Sequence, residues 1–227
     1  MIKIYEELEQ GSDDWLEARR GIITASEVCL LVTPTGKIAK NEKLRSHTWE
    51  LLAQRISGYV EPTYINDDML RGINDEITAR DMYSEHNATV KEVGFITNDF
   101  DGVRVGYSPD GLVGDDGLIE IKSRRQKYQI ETIATNAVPS EYMLQLQCGL
   151  LVSGRDWIDF ISYSAGLPLF IKRVFPDTEM QDNILRAVKE FDLNSSELML
   201  MYKQNADKFI ETTRDDEEFD FGEESYD

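Results

Sequence analysis

Cysteine and histidine are scarce in this chain of 227 residues, and each scarcity removes a class of chemistry. Cys29 and Cys148 are the only cysteines, far apart and in apolar sequence surroundings. Neither a disulfide framework nor a cysteine-rich zinc site is expected, and a reducing cytoplasm fits. His47 and His86 are the only histidines, and neither stands in a metal-ligand spacing, which disfavours zinc-hydrolase and HNH-type mechanisms. No apolar run is long enough to cross a bilayer, and the opening MIKIYEELEQ lacks the basic start and apolar centre of a secretion signal. A soluble cytoplasmic protein with no membrane partner is expected.

Positive charge is also short. The chain has 43 Asp and Glu against 24 Lys and Arg, a formal net charge of −19. Taken alone, that balance argues against a nucleic-acid partner. The acid is unevenly spread, however: DDEEFDFGEESYD (215–227) holds eight carboxylates and no basic residue, so the preceding chain carries about −11 by subtraction. Basic residues cluster in ARR (18–20), KIAKNEKLR (37–45) and KSRRQK (122–127), which leaves room for a locally positive groove. Residues 1–211 read as one folded domain and 212–227 as an acidic, disordered tail. The tail sets Phe219, Phe221 and Tyr226 among its carboxylates, a pattern suited to docking on a basic, apolar-lined groove of another protein, to competing with DNA at a basic channel, or to solubility alone.

The pattern along the chain starts helical. Ser12 can cap a short helix that Gly21 stops, and the TASE capping box opens a second through Val32. Helical spacing predicts further helices from Asn41 to Ser57 and from Asp68 to His86. Segments rich in Val, Ile, Phe and Tyr at 90–97, 103–107 and 117–122 then predict adjacent antiparallel strands. Helices at 126–135 and 139–152, strands at 157–163 and 169–174, and a helix at 178–205 complete the pattern. The expected class is α/β (α+β), a central mixed β-sheet flanked by helices, with no internal repeat.

One stretch carries more than structure. SPDGLVGDDGLIEIK (108–122) places Glu120 and Lys122 on one face of a strand, with Ile119 and Ile121 on the other, directed into the core. A tight connection brings Asp110 to the charged face. Asp110, Glu120 and the Ile121 backbone carbonyl offer the hard oxygen ligands that one or two Mg²⁺ ions prefer, and Lys122 could orient or deprotonate a water or offset charge on a phosphorus centre. Taken separately, Pro-Asp-Gly is a common turn and Glu-x-Lys a common solvated strand face.

Four blocks in order, QGSDDWLEARRGIITASEV (10–28), RGINDEITAR (71–80), SPDGLV…GLIEIK (108–122) and EYMLQLQCGLLVSG (141–154), resemble the lambda-type phage exonucleases, or YqaJ-like viral recombinases, of the PD-(D/E)xK nuclease superfamily. The resemblance implies a restriction-endonuclease-like core. It places Asp110, Glu120 and Lys122 on the two metal-binding carboxylates and the catalytic lysine. Glu76 falls on a further acidic residue that completes a site for two Mg²⁺ ions, with Mn²⁺ as a substitute, and Gln145 on a glutamine facing the active site. Arg19, with Thr24, Ser26 and Ser108, matches a pocket for the 5′-phosphate of a DNA end. Lys37 or Lys40 approximates a basic residue that probes the duplex; Arg124, Arg125 or Lys127 supplies a phosphate contact; Met69 corresponds to an apolar wedge at the end base pair.

The resemblance thus implies a Mg²⁺-dependent 5′ to 3′ exonuclease that degrades one strand of linear double-stranded DNA and leaves a 3′ single strand. A homotrimeric ring and a single-strand-annealing recombinase or single-strand-binding protein as partner follow from the same resemblance, in a host cytoplasm if the chain is phage-encoded. Two rival readings stand beside it. One is an endonuclease or single-strand exonuclease of the same superfamily; the other is a catalytically silent DNA-end binder or acidic interaction protein.

Overall fold

A computed structural model describes residues 1–33, 35–62 and 66–214, without the Asp68 side chain. The aromatic residues of the acidic tail, Phe219, Phe221 and Tyr226, lie outside the described residues.

The chain opens with strand β1 (Lys3–Tyr5) and helix α1 (Asp13–Arg19), which Ser12 caps by accepting from the Trp15 N–H at 3.3 Å. Gly21, at φ 65°, takes the left-handed turn that stops it. Strand β2 (Ile23–Thr24) follows, then a 3₁₀ turn (Ala25–Glu27) and the short α2 (Val28–Leu31). The TASE stretch therefore opens a tight turn and one helical turn in place of a continuous helix. Glu27 still closes the capping box, accepting from Thr24 N at 2.8 Å. Asn41 and Asn66 cap α3 (Glu42–Ser57) and α4 (Asp67–His86).

The strands depart from the expectation of one sheet. Residues 90–97 divide into β3 (Val90–Lys91) and β4 (Phe95–Phe100), which belong to different sheets. The break falls at Gly94, where the backbone of Leu8 passes so close that a Cβ would lie 2.1 Å from its carbonyl oxygen. One sheet has the order β1-β4-β5-β2, with β5 at Val103–Tyr107; the other runs β3-β6-β7-β8-β9. In the second, β6 (Gly111–Val113), β7 (Gly117–Ser123), β8 (Trp157–Tyr163) and β9 (Phe170–Val174) join the short β3. Strands 103–107 and 117–122 are therefore not neighbours. Both sheets are mixed, since β2 pairs parallel with β5 and β7 with β8. Helices α5 (Gln126–Thr135) and α6 (Ser140–Ser153) make the crossover between β7 and β8, and α7 (Thr178–Ala206) follows β9.

The β7–β8 pair is covered on both faces, which is why GLIEI is nearly continuous in apolar residues. Leu118, Ile158 and Phe160 join the larger core with α2, α6 and α7, whereas Ile119, Ile121 and Ile161 pack under Ala79 and Tyr83 of α4. On the α4 side, Tyr83 donates to Asp159 at 2.7 Å, and Arg173 holds the same carboxylate with two bonds of 2.9 Å while stacking on Trp157. Both cysteines are free: Cys148 is buried, its thiol pushed up to about 12 by burial, whereas Cys29 is exposed between Val28 and Leu30.

Gly117 leaves no room for a side chain, because a Cβ there would stand 2.1 Å from the Trp157 ring. Gly117→Ala forces that ring and its Arg173 partner to shift. The expected cost is about 1–3 kcal/mol, read as a lower urea midpoint at unchanged slope.

Candidate active site

The β6–β7 turn answers whether the acidic stretch is only a hairpin. Strand β6 begins at Gly111, opposite Ile119, so β7 runs on to Ser123 with that edge unpaired. The Asp110 carboxylate fills the gap by accepting from the Ile121 N–H. In an extended strand a residue's N–H and C=O leave by the same edge, so the Ile121 carbonyl faces the same side.

Glu120 is not on a solvated face. It is 2% exposed, as buried as the isoleucines beside it, and three donors meet it. Lys122 Nζ reaches Oε1 at 2.7 Å, Gln145 Nε2 reaches Oε1 at 2.5 Å, and the Tyr107 hydroxyl donates to Oε2 at 2.8 Å. Burial alone would depress the Lys122 ammonium, but Glu120 and Asp110 more than offset it and hold the group above its ordinary range. Asp110 is pushed well above the usual carboxylate range by burial, then by Glu120 and Glu76, against the pull of Lys122. Burial also raises Glu76, whose carboxylate accepts from Arg80, itself paired with Glu92. The charge of Glu120 thus acts on both Asp110 and Glu76. Among the described residues, however, no three acidic, histidine or cysteine side chains gather tightly enough to hold an ion by themselves.

A second cluster lies one loop away. Arg19 donates to Ser108 Oγ at 3.0 Å and to Thr24 Oγ1 at 3.4 Å, and Thr24 Oγ1 lies 3.2 Å from Ser26 Oγ. Its guanidinium stacks 4.1 Å above Trp15, whose indole N–H shares Ser108 Oγ at 3.0 Å. Burial lowers Arg19 from its ordinary value while the Glu27 charge opposes it, yet among the described residues no carboxylate forms an ion pair with it. Glu27 turns instead to Thr24 N and toward His47 at 3.7 Å.

The structure thus brings together Asp110, Glu120, Lys122, Gln145 and the neighbouring Glu76, and separately Arg19, Thr24, Ser26 and Ser108. Lys37 is exposed on the loop between α2 and α3, and among the described residues no hydrogen bond or ion pair ties it to either cluster. Arg124 is largely committed: it bonds Glu141 at 2.7 Å and the Tyr142 hydroxyl at 2.5 Å, between the Tyr128 and Tyr142 rings. With exposed Arg125, and with Arg71 and Tyr128, it lines a polar cleft of about 660 Å³. Met69 stands 43% exposed in the first turn of α4.

Sequence reasoning missed Tyr107, Tyr142 and Trp15. Tyr107 sits at the end of an apolar strand where core packing explains it; only the tertiary fold, which brings the end of β5 beside β7, sets its hydroxyl on Glu120. Tyr142 lies beneath Lys122, 5.6 Å from ring centroid to Nζ, and burial raises its phenol.

Comparison with known proteins gives concordant results. A family model described as the YqaJ-like viral recombinase domain matches residues 14–156. The crystal structure of the alkaline exonuclease LHK-Exo from Laribacter hongkongensis is similar at TM-score 0.76 and 35% identity, over 87% of this chain and 99% of that one. LHK-Exo in complex with dAMP is similar at TM-score 0.76 and 36% identity over the same shares. A phage-related exonuclease from Haemophilus somnus 129PT shares the fold at 15% identity and TM-score 0.55, over 79% of this chain and 96% of that one. No match is found among the curated proteins. A family match over most of the chain, joined to a likeness that spans nearly all of a relative 35% identical, leaves one assignment: the chain belongs to the YqaJ-like viral recombinase family.

Proposed function

We propose that the protein is a Mg²⁺-dependent exonuclease that hydrolyses one strand of duplex DNA from its 5′ end and leaves a 3′ single strand for recombination. The observation that carries this reading is the loop Ser108–Pro109–Asp110. Ser108 accepts from Arg19, and two residues later Asp110 enters the carboxylate cluster, so the Cα atoms of the residues that serve the two sites are at most about 7 Å apart. An end-binding pocket that close to the reacting groups suits removal of terminal nucleotides.

Arg19 is a cation drawn away from water and, among the described residues, met by the Ser108 and Thr24 hydroxyls and the Trp15 and Phe95 rings. Such a group is costly to leave without an anion, and a phosphate matches the guanidinium fork. A terminal 5′-phosphate would receive Arg19 together with the Thr24, Ser26 and Ser108 hydroxyls.

The donor chemistry of the second cluster fits a hard divalent cation. Asp110, Glu120 and the Ile121 carbonyl offer oxygens only, and their mutual charge leaves the site short of positive charge. Mg²⁺ commonly takes one or two carboxylates and completes its shell with water and substrate phosphate, so a closed protein cage is not required. Glu76, whose charge acts on Asp110, would assist a second ion, and Mn²⁺ would substitute. A bound divalent cation would act as a Lewis acid on the phosphodiester. Lys122 enters as a cation, so its role is to offset charge on the phosphorus centre and orient the attacking water, while Gln145 fixes Glu120.

Arg125, Lys127 and the cleft along α5 would offer contacts for the downstream duplex, Lys37 or Lys40 would probe the duplex, and Met69 would act as an apolar wedge at the end base pair. Arg124 acts by holding Tyr142 and Glu141. A homotrimeric ring would let an acidic chain enclose a polyanion within a basic channel, and a single-strand-annealing recombinase or single-strand-binding protein would receive the product strand.

The deciding experiment offers linear duplex labelled at the 5′ or 3′ end, and a closed circle, with Mg²⁺ and with chelator. Release of the 5′ label first, only with Mg²⁺ and not from the circle, is expected; cutting of the circle would make the protein an endonuclease, and no hydrolysis an end binder. Glu120→Gln and Lys122→Ala should each lower turnover by about 100-fold or more while gel-shift affinity for DNA persists. In Arg19→Ala the rate advantage of 5′-phosphorylated over 5′-hydroxyl ends should fall toward unity, and an unchanged ratio would leave Arg19 a structural role only.

A further inference from the structure

Tyr107 closes β5 at 1% exposure, and its hydroxyl reaches the Glu120 carboxylate from the core side. The ring is clamped. Gly149 of α6 runs so close that a Cβ there would stand 2.8 Å from the ring Cζ. A glutamate's own terminal torsion is broad and two-fold, so nothing intrinsic orients the plane of its carboxylate. Lys122 and Gln145 both fall on Oε1 and leave the plane free to pivot about that oxygen. Tyr107 supplies the second anchor.

The count of acceptor positions adds a direction. A carboxylate offers about four, two on each oxygen. Oε1 has used both of its own, whereas Oε2 has used one, on Tyr107. We infer that Tyr107 is a positioning residue for cation binding: its hydroxyl fixes the Glu120 carboxylate and leaves Oε2 as the oxygen that engages a divalent cation. The inference rests on the metal-dependent reading above. It goes beyond that reading in giving a task to a core tyrosine that touches neither DNA nor the ion.

Mn²⁺ binding to the full-length, DNA-free protein, followed by electron paramagnetic resonance of the free ion, reads this without turnover. Tyr107→Phe keeps the ring against Gly149 and removes only the donor. Its Mn²⁺ affinity should fall by about 10–100-fold, as loss of a partner that orients a metal ligand commonly does. The Mn²⁺ concentration for half-maximal hydrolysis should rise by the same factor while KM for DNA stays unchanged. Adding Tyr107→Phe to Glu120→Gln should weaken Mn²⁺ no further, because the tyrosine acts through the carboxylate. If Tyr107→Phe does not fold, Gly149→Ala displaces the same hydroxyl and should show the same loss. Wild-type Mn²⁺ affinity in a folded Tyr107→Phe protein overturns the inference and leaves the proposed function standing. A wild-type protein that digests DNA yet binds no Mn²⁺ removes the metal-dependent reading and the inference with it.

Discussion

A carboxylate withdrawn from water has to be met by donors, and much of the site follows from how Glu120 is met. At 2% exposure it lies between a sheet and a helix layer, where an unpaired charge would cost several kcal/mol. Lys122 comes from the same strand, Gln145 from α6 and Tyr107 from the other sheet. Each element is thereby fixed relative to β7 by a polar contact as well as by apolar packing. The register of β7 on β8, with Glu120 opposite Phe160, decides which face the charge takes; a slip by one residue would exchange it with an isoleucine.

Local signals in the sequence locate most elements. Asparagine and serine caps, the glycine at α1's end and the apolar spacing of α3, α4, α6 and α7 are legible because each depends on neighbours within a few residues. The strands are less legible where the partner is remote. Nothing local in 90–97 says that its two ends serve different sheets, since the break falls where the backbone of Leu8, 86 residues earlier, passes against Gly94. Short strands such as β1, β2 and β6 exist only through their pairing.

The same division holds for the site. Asp110, Glu120 and Lys122 are close in sequence and share a motif, so their meeting could be read directly. Arg19, Thr24, Ser26, Ser108, Gln145 and Glu76 were placed by resemblance, and the structure gathers them into two neighbouring clusters. Tyr107 was invisible because its environment matters more than its identity: a tyrosine at the end of an apolar strand reads as core until the acidic loop is folded beside it. The burial of Glu120 escaped for the opposite reason, since an alternating Glu-x-Lys is the ordinary signature of a wet face.

The long span of these contacts has a consequence for the order in which the molecule comes into being. Arg19 meets Ser108 across 89 residues, and β7 gains its parallel neighbour only after α5 and α6 have been laid down. Loops of this size close late, after local helices have formed. A growing chain that has delivered residue 122 but not residue 160 holds every charged group of the motif, yet has neither Gln145 in place nor β8 to bury Glu120. The candidate site is thus incomplete in a partly made chain and is assembled only when the fold is nearly complete.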